Sequence, residues 1–87
     1  MRTREITLTV GENDLKFKVD TAEYNRYLDE MGMNDKVVPA ENFLRRTLVD
    51  KEQRPLLDEA CDDGLTLELA GSLIKEFRPQ VTITVKK

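Results

Sequence analysis

Residues Glu5 to Val10 read EITLTV, and beyond GEND at 11–14 the chain continues as LKFKV from Leu15 to Val19. Ile6, Leu8 and Val10 alternate with Thr7 and Thr9, and Leu15, Phe17 and Val19 alternate with Lys16 and Lys18. A period of two rich in β-branched and aromatic residues is what a half-buried strand needs, because successive side chains leave opposite faces. Gly11, Glu12, Asn13 and Asp14 supply turn chemistry between the two runs, so the pattern predicts a β-hairpin. At the far end of the chain Val81, Ile83 and Val85 alternate with Thr82, Thr84 and Lys86, a close copy of the opening run. An isolated hairpin is marginally stable in water, so this last run is expected to pair alongside the first as a third strand.

Between these runs the periodicity changes to that of helices. Asp20 followed by Glu23 forms a capping box, and Tyr24, Tyr27, Leu28 and Met31 then fall at i, i+3, i+4 and i+7, predicting a helix over Thr21 to Met31 that Gly32 ends. Pro39 suits a first helical turn, and Phe43, Leu44 and Leu48 form the apolar side of a second helix over Pro39 to Val49. A third starts near Asp50 and reaches Ala60 or Cys61, with Pro55 acceptable only in its first turn. After Asp62, Asp63 and Gly64, a fourth runs from Leu65 to Phe77 and stops before Pro79. The expected fold is therefore α+β: a three-stranded sheet, with three to four helices inserted between the second and third strands and covering one face. Its expected core is Ile6, Leu8, Phe17, Tyr27, Leu28, Phe43, Leu44, Leu48, Leu69, Leu73, Phe77 and Ile83.

Composition narrows the function. The 87 residues suit one domain spanning 1–87, and 39% hydrophobic with 36% charged residues describes a small globular protein. No apolar run approaches the about 20 residues that cross a bilayer, and MRTREITLTV has no apolar signal core, so a cytoplasmic location is expected. With 14 basic against 17 acidic residues, the net charge of -3 supplies no attraction for nucleic acid. The chain has no histidine, which removes the commonest general base and transition-metal ligand. The single cysteine, Cys61, has no disulfide partner and no histidine to activate it, and reads as a reduced core thiol. Glycines at 11, 32, 64 and 71 make no phosphate-cradling loop. No enzyme activity, metal or cofactor is expected.

Two features remain as candidate sites. Asp58, Glu59, Asp62, Asp63 and Glu68 lie in a stretch without a Lys or Arg, but they lack the loop spacing and closing glutamate of a calcium site. They read as a solvated face beside the N-terminus of the fourth helix, with partner contact as the alternative. Arg45 and Arg46 read as ion-pairing residues, with Glu41 one turn before Arg45. The fourth helix is the most apolar element, and its hydrophobic positions spread over roughly 200° of arc, with Leu67 and Ile74 at one edge. Gly71, between Ala70 and Ser72, makes a small-residue patch where another backbone could come close. The occupant of that face is either an earlier helix of the chain or another molecule, a second copy or an apolar segment of a partner. Self-association, chiefly through helices, is expected.

Taken in order, the EITLTV hairpin, the VVPAENFLRRTL helix, the LAGSLIKEFRPQ helix and the closing VTITVKK segment resemble the small phage tail assembly chaperones of siphophages and prophages, from about Glu5 to Lys87. The resemblance implies a protein at work in the host cell cytoplasm and absent from the finished virion. It would shield the long apolar helices of a tape measure protein until tail tube proteins polymerise around them. It brings no catalytic residue and no cofactor. The expected client surface is then the fourth helix, with Leu67, Ile74 and Gly71 in an apolar groove and Asp62, Asp63 and Glu68 as its charged rim. A competing reading is an acidic adaptor that covers a host or phage protein surface, using Asp58 to Glu68 as a charge mimic.

Overall fold

A computed structural model describes residues 2–87. Strands β1 (Thr3–Val10) and β2 (Asn13–Asp20) form an antiparallel hairpin in which Ile6 faces Phe17 and Leu8 faces Leu15. The turn is Gly11 and Glu12, and Gly11 takes φ 63°, the positive value that hairpin turns demand and a side chain resists. Helix α1 (Thr21–Glu30) follows without a loop, because the Asp20 carboxylate accepts a 2.8 Å bond from the Glu23 amide and caps it. Helix α2 (Val37–Thr47) begins earlier than Pro39, which sits buried in its first turn. It also ends earlier than Val49, since Leu48 turns extended, bridges Phe17 and lets the Val49 amide bond the Lys16 carbonyl at 3.0 Å. Asp50 caps a short 3-10 helix (Lys51–Gln53) that leads into α3 (Arg54–Asp62), with Pro55 in its first turn as its ring requires. Gly64 at φ 87° reverses the chain into α4 (Thr66–Phe77).

Phe17, Val19, Phe43, Leu44, Leu57 and Leu73 lie fully buried where the inner face of the hairpin meets α2, α3 and α4. Tyr27 stacks on Phe43 at 4.8 Å between ring centroids, which attaches α1 to α2. Arg46 adds a polar tie between the same helices, bonding Glu23 at 2.8 Å and Glu30 at 3.1 Å.

Three expectations fail here. The third strand over Val81–Lys86 does not form: among the described residues the sheet has two strands, and Val81, Ile83 and Val85 are 66%, 88% and 83% exposed. The physical reason lies in where α4 delivers the chain. Val81 and Thr82 share a groove with Gly71, Ile74 and Lys75, whereas the free edge of β1 shares another with Ser72, Lys75 and Glu76, so the Lys75 ridge separates tail from edge. Ile83 accordingly leaves the core. Leu28 also lies outside it at 44% exposed, because Tyr27 holds the inward position of α1. Leu8 is only half-buried, near the turn of the hairpin.

Candidate functional site

Helix α4 turns Leu69, Ala70, Leu73 and Phe77 into the core, and these positions are fixed by the 3.6-residue period of the TLELAGSLIKEF run. Leu67, Gly71 and Ile74 recur at i, i+4 and i+7, so they share a stripe within about 60° of arc beside that buried face. Leu67 is 45% exposed and Ile74 half-buried. A Cβ placed on Gly71 would meet no atom of another element within 4 Å, so neither α1 nor α2 approaches it; of the expected small-residue patch Gly71 and Ser72 are exposed, whereas Ala70 is buried in the core. Arg78, Pro79, Gln80, Val81 and Thr82 fold beside Gly71 and Ile74 and close one side of an open groove of about 550 Å³.

The acids do not form one rim around this stripe. Asp62 ends α3 and Asp63 caps it, and Asp63 lines a separate groove at the hairpin tip with Val10, Gly11, Leu15 and Leu65. Glu68 stays on α4, exposed in its first turn beside Leu67. Of the six residues singled out, Gly71 and Ile74 are thus brought together with the tail, Leu67 and Glu68 lie one turn before them, and Asp62 and Asp63 lie on the preceding element. Among the described residues, no three Asp, Glu or Cys side chains converge in a way that could hold a metal ion. Cys61 is a free, half-buried thiol at the margin of the core.

Asp58, read as part of the acidic face, is instead neutralised. Arg54 bonds its carboxylate at 3.1 Å and Arg45 approaches at 3.4 Å, and these partners hold its pKa below the usual aspartate value against a smaller opposing effect of desolvation. Arg45 also pairs with Glu41 one turn earlier, as the spacing predicts. The remaining acids of the stretch, Glu59, Asp62, Asp63 and Glu68, are exposed.

Sequence reasoning missed how α4 is tethered. Arg2 Nε donates to the Phe77 carbonyl at 2.8 Å and stacks its guanidinium 5.6 Å over the Phe77 ring, and Arg4 donates to the Glu76 carbonyl at 2.8 Å. Both arginines meet carbonyls that the helix leaves without intrahelical partners, where cations are favoured by the dipole. The pair of basic residues opening the chain was the visible signal, but a pairing across more than 70 residues has no local signature. Among the described residues no helix is long and apolar enough to cross a membrane.

No solved structure matches the chain. A protein of Haemophilus phage HP1, described as an uncharacterized 11.3 kDa protein in the lys 3' region, is 31% identical over 81 residues, covering 93% of this chain and 79% of that protein. The family model described as phage tail assembly chaperone matches residues 6–87, from the hairpin through α4 and the tail, and the chain belongs to that family.

Proposed function

We propose that the chain is a non-enzymatic chaperone that captures apolar helical segments of a tape measure protein through the outer stripe of α4, in the cytoplasm of the infected host cell, before tail tube proteins assemble around them. The observation that carries this reading is the aliphatic stripe beside Gly71, where Leu67 is exposed, Ile74 is half-buried and, among the described residues, no other element comes within 4 Å of a Cβ placed on the glycine. An amphipathic or apolar helix laid on that stripe would bury the two side chains, and the missing Cβ at Gly71 would let its backbone approach. The exposed carboxylate of Glu68, one residue after Leu67, keeps that end of the stripe hydrated before loading.

The test is co-expression with a tape measure protein. Leu67→Asp and Ile74→Asp should leave the circular dichroism spectrum close to that of the parent chain and abolish co-purification, because a carboxylate is costly to bury against an apolar client. Retained co-purification by both folded variants would place the client elsewhere. Salt separates this reading from the acidic adaptor: near 0.5 M, where screening acts over about 4 Å, apolar capture should persist and charge mimicry should fail.

A further inference from the structure

The hairpin has two edges, and they are treated differently. The outer edge of β2 is covered at its middle, where Leu48 bridges Phe17 and the Val49 amide bonds the Lys16 carbonyl. Among the described residues no strand pairs with the outer edge of β1, an eight-residue strand without proline. Such an edge presents a row of unpaired N–H and C=O groups and accepts a further strand unless it is covered. The lysines that could blunt pairing, Lys16 and Lys18, stand on β2. Beside the β1 edge runs an open groove of about 480 Å³, lined by Arg4 to Leu8 on one side and Ser72, Lys75 and Glu76 on the other.

The same chain also carries an unpaired segment with strand character. Residues 81–87, VTITVKK, adopt no regular structure and leave Val81 two-thirds exposed and Ile83 and Val85 more than four-fifths exposed. Three exposed β-branched side chains in alternation with threonine are a strand without a sheet.

We infer that the tail of one copy adds to the β1 edge of a second copy as an antiparallel third strand. In the register that sets Ile83 beside Leu8, Val81 and Val85 flank Val10 and Ile6 on the inner face. The outer face then pairs Thr82 with Thr9, Thr84 with Thr7 and Lys86 with Glu5, so every apolar residue meets an apolar one and the charged pair of that face is of opposite sign. Lys87 falls opposite Arg4, a like-charge pair at the end of the register, with Glu76 lining the same groove beside it.

Reach decides that the donor is a different molecule. The Phe77 carbonyl lies at Arg2, so α4 releases the tail at the start of β1. An antiparallel tail must begin at the opposite end, where Val10 stands about 27 Å up the strand from Arg2. The four steps from Phe77 to Val81 cover at most about 14 Å, and the length of one arginine side chain does not close that gap. A second copy has no such limit.

The test uses this chain alone. In a Cys61→Ser background, Thr7→Cys and Thr84→Cys are prepared as separate single-cysteine proteins, mixed and oxidised. The expected product is a covalent dimer containing one of each, in several-fold excess over either like pair. An intrachain disulfide in the dilute double variant, with no mixed dimer from the singles, would show cis pairing and overturn the inference. Independently, Thr84→Pro, opposite Thr7 whose N–H and C=O face the free edge, removes a ladder donor at a position that the single chain leaves exposed. It should keep the parent circular dichroism and raise the dissociation constant for self-association at least tenfold, read by light scattering. Unchanged association, or a parent chain that stays monomeric to the millimolar range, would also overturn it.

Discussion

The segments ITLTV at 6–10 and VTITV at 81–85 carry nearly the same side chains in the same alternation, and they meet opposite fates. The first is paired along its whole length with β2, and Ile6 is 6% exposed. The second forms no strand pairing among the described residues, and Ile83 is 88% exposed. The difference lies in what surrounds each segment. Gly11 and Glu12 return the chain immediately onto ITLTV, so its partner is delivered at small entropic cost. Pro79 and its neighbours release VTITV beyond a helix whose ridge stands between it and the nearest free edge. Alternation makes a segment able to form a strand, and delivery of an edge decides whether it does.

The contrast can be broken most sharply at Phe17, the β2 residue opposite Ile6. It is fully buried and bridges Leu48, so Phe17→Ala should cost about 3–5 kcal/mol of unfolding free energy in denaturant titration. A loss below 1 kcal/mol would mean that the hairpin does not anchor the core. Next comes the direct comparison of the two isoleucines. Ile6→Ala should cost about 2–4 kcal/mol, whereas Ile83→Ala should change the stability of the dilute protein by less than about 0.5 kcal/mol. Hydrogen exchange should agree, with protected amides through the β1–β2 ladder and free exchange from Val81 onward at low concentration. Protection of Ile83 in the dilute monomer would erase the distinction.

Smaller effects test how the hairpin is delivered at its two ends. Asp20→Ala removes the cap that joins β2 to α1 and should cost about 1 kcal/mol, and Gly11→Ala, at φ 63°, should cost about 1 kcal/mol through backbone strain. Neither should alter exchange in the tail. The smallest effect is a control in α3. The folded pKa of Asp58 is depressed by Arg54 and Arg45, so its contribution is present above the unfolded aspartate pKa and is lost as pH falls through the folded value. Asp58→Asn should therefore flatten the acid side of the stability profile slightly, and leave the tail exposed at every pH.

Much of the molecule was legible because its causes are local. Asp20 with Glu23, Pro55 in a first turn, and the alternation on either side of Gly11 each act within a few residues, and the elements appear where those signals stand. The α4 stripe was legible for the same reason, since Leu67, Gly71 and Ile74 share a face by helical spacing alone. The acids were misjudged as a group, because their roles depend on neighbours supplied by other elements: Asp58 meets arginines from α2 and α3, and Asp63 turns to the hairpin tip.

The sequence by itself determined the class of fold, the hairpin, the order of the helices and the absence of histidine chemistry, because composition and short-range periodicity are properties of the chain before it folds. Only the tertiary structure decided that VTITV stays outside the sheet, that Leu28 yields the core to Tyr27, and that Arg2 and Arg4 grip the end of α4. Those outcomes depend on which surfaces arrive next to each other, and distance along the chain carries no record of that. A strand needs an edge as well as a pattern, and here the pattern was written twice while the chain supplies its own partner once.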